Sequence, residues 1–569
     1  MKNKILKLVN MLMILALVMT VFMPIVNAAP DLTKTEGSLK ITKYEVGDKG
    51  QQLLAGVTFD IYKVGDDETS TELPTDSAIL ATKQSKTTGT DGVVTFTSLA
   101  LGRYLVVESD APANVVSKIA NFLVDVPMTS ADGTGLVYDV EVSPKNNTVY
   151  GGVTLIKADY LTSEAMAGVK FELQKLNGQT WSKYGEELTT ANGTTDADDA
   201  GTILEKGTIV VTGLPAGSYR FVETATLQDY ILNNQATYNF EVSMANDGKT
   251  VVEPSQINVF NMKPTLDKKI TTDLTEGSAK IGDTVSYKIT TPIPTVVENL
   301  PTYKMHETIE KGLTYTDDTV VVTAVGKDNT REELILGTDY TLTVAGDKAT
   351  FEIVFTEAGK AKLAAKDNLE VVYDAVLNEN ADSLNLGNKT TTKLTYSTVV
   401  DKNYEGTENE TTSATKELTA DVPVYTGGLY IKKVDASNNI IPTGATFKIA
   451  TSEENAKNGV FIDGIELTTD ANGLASYKGL TYGKYWLVET KAPTYEENGT
   501  QKNYNLLRKP VDVTVNAGTY AESAAIQVVN KKGFELPATG GVGTIIISGI
   551  GIAIIALGVV VFKGKKEDK

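Results

Sequence analysis

Residues 151–157 read GGVTLIK, and the same pattern, glycine leading an alternating strand that ends in lysine, recurs at 37–43 (GSLKITK) and 427–433 (GGLYIKK). Each copy opens a unit that continues in the same order. A glycine-led segment comes next, Gly56 to Asp60, Gly168 to Glu172 and Gly444 to Lys448. A strand ending in glutamate follows: Tyr104 to Glu108 (YLVVE), Tyr219 to Glu223 (YRFVE) and Tyr485 to Glu489 (YWLVE). The unit closes on a strand ending in asparagine, at Asn146 (VEVSPKN), Asn261 (INVFN) and Asn530 (IQVVN). Self-similarity at domain-sized spacing marks duplicated modules rather than a solenoid. Short runs rich in Val, Thr, Ile and Tyr, broken by Gly, Asn and Asp every ten or so residues, predict all-β sandwiches.

Alternate residues of a strand share a face. Leu39, Ile41 and Lys43 therefore point together, as do Val153, Leu155, Lys157 and Leu429, Ile431, Lys433. The same count aligns Tyr104, Val106, Glu108, then Tyr219, Phe221, Glu223, then Tyr485, Leu487, Glu489. It also places Asn146 with Val140 and Val142, Asn261 with Val259, and Asn530 with Val528. Each module sends one Lys, one Glu and one Asn inward, and a charge buried without a partner is costly. A buried ion pair resting on an amide is the structural alternative. Three modules with the same triplet in the same order favour chemistry. Burial lowers a lysine pKa and raises that of a carboxyl, which leaves a neutral amine as nucleophile beside an acid able to polarise the carboxamide. Attack on the amide carbon expels ammonia and leaves a Lys–Asn isopeptide bond.

These units resemble the Cna type B domains of Gram-positive surface proteins, which carry such a self-formed crosslink. YWLVETKAP around Glu489 is close to that family's E-box, with Glu223 in YRFVETAT and Glu108 in YLVVESDAP departing further. The resemblance implies tandem immunoglobulin-like β-sandwiches with bonds Lys43–Asn146, Lys157–Asn261 and Lys433–Asn530, promoted by Glu108, Glu223 and Glu489.

Between Pro264 and about Ala420 the repeat is interrupted. Leu266, Lys268 and Ile270 alternate on one face, Tyr303, Met305 and Glu307 on another, and a later strand carries Asn388 before Thr390 and Thr392. GDTVSYKI at 282–289 and GLTY at 312–315 resemble the Cna type A-like middle domain of pilins, which uses a Lys, an acid and an Asn in the same way. Lys268, Glu307 and Asn388 are the expected set, with Lys269 and Asn378 as alternatives because no second copy fixes the register. His306, the single histidine, falls on the opposite face of its strand and reads as a surface residue.

The ends set the location. Lys2, Lys4 and Lys7, an apolar stretch from Met11 to Ile25, then Val26-Asn27-Ala28 have the layout of a secretory signal peptide, cut after Ala28. Near the other end Leu536-Pro537-Ala538-Thr539-Gly540 precedes an apolar run from Val542 to Phe562 and the basic residues Lys563, Lys565 and Lys566. A run of about twenty apolar residues spans a bilayer as a helix, and the lysines favour the cytoplasmic side. The order resembles the wall-sorting signal of Gram-positive surface proteins, in which a sortase cuts an LPxTG pentapeptide between Thr and Gly. This implies cleavage between Thr539 and Gly540, with Leu536 and Pro537 recognised.

With 569 residues the chain holds three to five domains at about 150 each. The expected division is signal peptide 1–28, N-terminal domain 29–148, Cna type B-like domain 149–263, Cna type A-like domain 264–420, second Cna type B-like domain 421–535, sorting motif 536–540, transmembrane helix 542–562 and basic tail 563–569. Cysteine is absent, so disulfides cannot staple this exported chain. A net charge of −19 argues against nucleic acid. One histidine and no cysteine leave no basis for a zinc site or a Cys/His or Ser/His catalytic pair. No cofactor or metal is expected, and no enzyme beyond single-turnover bond formation. A secreted hydrolase would need paired acids in a cleft, and the candidate carboxylates are already matched by Lys and Asn.

Lys145 stands outside the repeat. The period that turns Asn146 inward turns Lys145 outward, and Pro144, which cannot donate to a ladder, suits an edge strand. LVYDVEVSPKN (136–146) resembles the pilin motif of backbone pilins, usually written with YPKN, with Ser143 in place of the tyrosine. The resemblance implies a shaft subunit of a sortase-assembled pilus, in which Thr539 of one subunit is joined to Lys145 of the next. Its partners would be a pilus-specific sortase, identical subunits head to tail, minor pilins, peptidoglycan through a housekeeping sortase, and a host surface ligand. A singly wall-anchored adhesin or accessory pilin is the alternative, and Lys145 discriminates between them.

Overall fold

The computed structural model describes residues 31–47, 50–198, 201–245, 251–252, 256–400 and 415–533. The expected signal peptide, sorting motif, transmembrane helix and basic tail lie outside them. Among the described residues no helix is long and apolar enough to cross a membrane. The described residues are almost entirely strands and turns, as their β-branched runs and turn glycines require. It divides into two compact units, Met1–Lys263 with Asn299–Pro301 and Ser397–Thr415, and Pro264–Glu298 with Thr302–Tyr396 and Lys416–Lys569.

The first unit holds two sandwiches. In one, Glu36–Thr42 lies between Asp139–Val142 and Val93–Ala100, facing a sheet ordered Gln84–Thr87, Thr58–Val64, Gly102–Asp110, Phe122–Val126. Leu39, Ile41, Phe59, Phe96, Val106 and Val142 fill the space between. Strand Gly102–Asp110 departs from simple alternation, since Leu105 and Val107 are buried as well as Tyr104 and Val106. Its outer face is covered, with Tyr62, Val64 and Ile79 packed on Leu105 and Val107. In the other sandwich Gly151–Asp159 lies between Thr208–Leu214 and Ile257–Asn261. Leu155, Phe171, Tyr219, Phe221 and Val259 form its core.

The second unit repeats that plan near the chain's end. Gly427–Asp435 lies between Leu474–Leu480 and Ile526–Asn530, over a sheet built on Thr446–Ala450, Gly483–Lys491 and Val511–Val515. Ahead of it stand two larger sheets. One runs Asp267–Ile270, Thr284–Pro292, Asn368–Leu377, Val321–Val325, Arg331–Glu333, and the other Tyr340–Val344, Thr350–Phe355, Tyr303–Ile309, Asn388–Ser397, Thr415–Val424.

The glycine that opens each repeat has a steric reason. A Cβ at Gly151 would sit 2.6 Å from Val242 Cγ1, one at Gly37 2.6 Å from Val126 Cγ1, and one at Gly427 would meet Val515 Cγ1 in the same way. The first strand crosses close over the end of the facing sheet, where no side chain fits.

Candidate functional site: buried Lys–Glu–Asn triads

The repeated first and last strands pair in parallel with one shared register. Asp159 faces Asn261, Asp435 faces Asn530 and Glu45 faces Asn146, so the lysine two residues earlier (Lys157, Lys433, Lys43) sits diagonally opposite the asparagine on the inner face. The glutamates arrive from the other sheet. Glu108, Glu223 and Glu489 are each opposite a phenylalanine (Phe59, Phe171, Phe447), and in each case the ladder slips by a residue at that phenylalanine. A bulge re-aims the side chains beside it. All nine triad residues are buried.

In the first sandwich Lys43 Nζ donates to Glu108 Oε2 at 2.9 Å and to Asn146 Oδ1 at 2.7 Å, while Asn146 Nδ2 donates to Glu108 Oε1 at 2.5 Å. In the second, Lys157 Nζ donates to Asn261 Oδ1 at 2.6 Å, Asn261 Nδ2 to Glu223 Oε1 at 2.5 Å, and the lysine lies 3.4 Å from Glu223 Oε2. In the last, Lys433 Nζ donates to Asn530 Oδ1, Asn530 Nδ2 lies 3.0 Å from both Glu489 oxygens, and the ion pair is 3.5 Å. The amine thus sits on the carbonyl side of the carboxamide and the carboxyl on its nitrogen side. Burial lowers the Lys43 pKa and brings Lys157 and Lys433 down to about 8, against the pull of their glutamates. Burial also raises the Glu223 carboxyl, opposed by Lys157. The arrangement suits transfer of the lysine amine to the Asn carbonyl, with the glutamate placed to protonate the departing nitrogen.

Three glycines absent from the sequence reading hold the lysines. Lys43, Lys157 and Lys433 each donate their backbone N–H to Gly92, Gly207 and Gly473 at 2.8 Å. Their carbonyls accept from Leu54, Met166 and Ile441 at 2.9, 2.9 and 3.0 Å. Those glycines have φ of 65°, 78° and 69°, and a Cβ on Gly207 would lie 2.7 Å from the Lys157 oxygen. The signal in the sequence is a glycine just before the strand that pairs antiparallel with the lysine strand in every repeat. A further shared device is the tyrosine that opens each glutamate strand: Tyr104, Tyr219 and Tyr485 hydroxyls donate to the carbonyl four residues back at 2.7, 2.8 and 2.8 Å.

The middle segment differs. Lys268 Nζ meets Glu307 Oε1 at 2.5 Å, sealed between the Tyr287 and Tyr373 rings. Burial brings the lysine down to about 8 and raises the glutamate. Lys269 is exposed, which settles the register. Asn388 is not brought to this pair, and that expectation is corrected. It shares a face with Thr392, which faces Glu307, but begins the strand four residues earlier, a distance of about 13 Å. Its Oδ1 accepts from Asp382 N at 2.7 Å and its Nδ2 donates to the carbonyls of Asp382 and Val424. Alternation shows which face a residue occupies and says nothing of how far along the strand it lies. Asn378 is turned outward and donates to Thr314 Oγ1. Thr392 Oγ1 instead donates to Glu307 Oε2 at 2.6 Å, in the role the Asn nitrogen plays elsewhere. His306 is half-buried on the outer face.

Lys145 lies on the strand Lys145–Asn147, at one edge of the small sheet it forms with Tyr44–Gly47 and Gly50–Leu53. It faces Tyr44, on the side away from Asn146. It is half-buried rather than fully exposed, and the far end of the edge is closed by Val116, whose N–H donates to Asn147. Among the described residues no hydrogen bond or ion pair holds its ammonium.

The fold and the triads define a class: tandem β-sandwiches closed, first strand to last, through buried Lys–Glu–Asn sets. Parts of the chain match known domains. Residues 151–256 and 427–530 match a prealbumin-like fold domain, residues 25–147 the N-terminal D1 domain of Gram-positive pilin subunits, and residues 528–569 the LPXTG cell wall anchor motif. Fimbrial subunit type 2 of Actinomyces naeslundii is 32% identical over 144 residues, 22% of this chain and 26% of that protein. Fimbrial subunit type 1 of Actinomyces viscosus is 26% identical over 478 residues, 73% of this chain and 83% of that one. Among solved structures, the major pilin subunit of Bacillus cereus is 24% identical, with a TM-score of 0.43, covering 68% of this chain and 100% of that one. The chain thus carries a D1 domain of Gram-positive pilin subunits, two prealbumin-like fold domains and an LPXTG cell wall anchor motif, a set that supports a cell-wall-anchored surface location.

Proposed function

We propose that this subunit forms the shaft of a covalent pilus. A sortase cleaves between Thr539 and Gly540, holds the Thr539 carbonyl as a thioester, and passes it to the Lys145 amine of the next subunit, forming an intermolecular amide. One donor and one acceptor in each copy give a head-to-tail contact that does not close, so a fibre grows. Lys145 carries this reading: it follows Pro144 at a sheet edge, faces away from the buried triad and has an ammonium that no hydrogen bond or ion pair holds among the described residues. Identical subunits and the pilus sortase are the direct partners. Minor pilins, peptidoglycan through a housekeeping sortase, and a host ligand are the further ones, and adhesion is the outcome.

Within the subunit the modules are read as 29–148, 149–263, 264–420 and 421–535, with the strand Thr415–Val424 of the middle sheet running across the third boundary. Lys43–Asn146, Lys157–Asn261 and Lys433–Asn530 condense once each, with Glu108, Glu223 and Glu489 as proton carriers, and no turnover activity is assigned. The experiment is an immunoblot of enzymatically released wall material, wild type beside Lys145→Ala. A ladder of high-mass bands that resists boiling and reductant, and that vanishes in the variant, is expected. A single band in both would leave a singly anchored adhesin.

A further inference from the structure

We infer that the middle segment, from Lys268 to Val424, is the part of the shaft that lengthens under load while its neighbours transmit load without unfolding. The inference rests on the reading of Lys145 and Thr539 as linkage points and of the repeated triads as bonds. Load then enters each subunit at the Lys145 side chain and leaves at Thr539. It never crosses the sandwich of residues 31–144, which precedes Lys145 in the chain. From Lys145 it follows the backbone to Lys157, crosses to Asn261, and bypasses residues 158–260. Near the exit it crosses from Lys433 to Asn530 and bypasses residues 434–529.

The middle segment has no such bypass among the described residues. No carboxamide is hydrogen-bonded to Lys268 there, and its partner, Glu307, forms an ion pair. The strand geometry compounds the difference. Gly151–Asp159 pairs in parallel with Ile257–Asn261, and Gly427–Asp435 with Ile526–Asn530, so load applied at their outer ends shears a whole ladder at once. Asp267–Ile270 and Thr415–Val424 lie in different sheets, each at an edge, and no ladder joins them. Load detaches each from a single neighbour. The lysine, the acid and the aromatic box are all in place at this site, but Thr392 occupies the position of the amide donor.

The test is single-molecule stretching of the mature, sortase-cleaved chain, held through a Lys145→Cys handle and its C-terminal end, with the intact mass measured on the same preparation. Three ammonia losses and one reversible lengthening on the order of 500 Å, the reach of the residues from Lys268 to Val424, are expected. Three losses with no lengthening before the handles fail would overturn the inference and leave the triads standing. An unshifted mass with additional lengthenings from residues 158–260 and 434–529 would overturn both, and the mass identifies that case. Thr392→Asn supplies a carboxamide beside Lys268 and Glu307. Its expected result is a fourth ammonia loss together with a lengthening cut to on the order of 100 Å, the reach of residues 393–424, and a variant that loses the fourth ammonia yet lengthens by the full amount would overturn the inference.

Discussion

The glutamate is the residue on which each buried site turns. Glu223 touches the Asn261 nitrogen at 2.5 Å and lies 3.4 Å from the Lys157 amine, in a setting where burial raises the carboxyl and lowers the amine. Glu223→Gln keeps the shape and removes the acid. The expected result is an ectodomain mass higher by one ammonia than wild type, with the second sandwich melting separately and earlier. A bond closing a loop of about a hundred residues is worth about 4 to 5 kcal/mol through the unfolded chain. The pH dependence of condensation follows from the same pair. Burial depresses Lys157 to about 8 and raises Glu223. Above about pH 8 the pair loses its last proton, the acid is gone, and the rate falls. Freshly refolded protein sampled by mass spectrometry from pH 6 to 10 should therefore show the ammonia loss slowing through that range. A rate that climbs steadily to pH 10 would mean that amine deprotonation alone governs the step.

At the scale of the element, the strand bearing the lysine is gripped from both sides by backbone hydrogen bonds, and the grip requires a left-handed glycine. Gly207→Ala places a side chain where the left-handed backbone costs about 1–2 kcal/mol, with its Cβ 2.7 Å from the Lys157 carbonyl. Slower condensation at Lys157 and a lower melting temperature before the bond forms are expected, both read on refolded protein. This device also marks the limit of what the sequence tells. Period two placed Lys43, Lys157 and Lys433 inward, and repetition confirmed the glutamates and asparagines, because each is the end of an alternating run. Gly92, Gly207 and Gly473 belong to turns whose lengths differ between modules, so no period exposes them. In the unrepeated middle segment, Lys268 and Glu307 are buried as their faces suggested, while Lys269, left open as an alternative, is exposed and His306 lies on the outer face. Alternation failed at Asn388, which lies on the right face but four residues too far along its strand. The burial of Leu105 and Val107 was equally hidden, since part of the cover on that face is Ile79 from the short helix Ser77–Leu80.

At the scale of the whole molecule, the parts agree on one use. In a chain without cysteine, three buried Lys–Glu–Asn sets lie between first strand and last, where the proposed condensations would staple the core. The lysine that is not in any set stands at a sheet edge just before the inward Asn146. Domain matches across both ends carry the pilin D1 module and the wall anchor. The central claim is the covalent join between copies, and the most direct measurement is peptide mapping by tandem mass spectrometry of high-mass material released from the wall. The account predicts a branched peptide in which the Thr539 carbonyl is bonded to Lys145 Nζ. Finding Lys145 unmodified throughout, with Thr539 joined only to peptidoglycan, would contradict it.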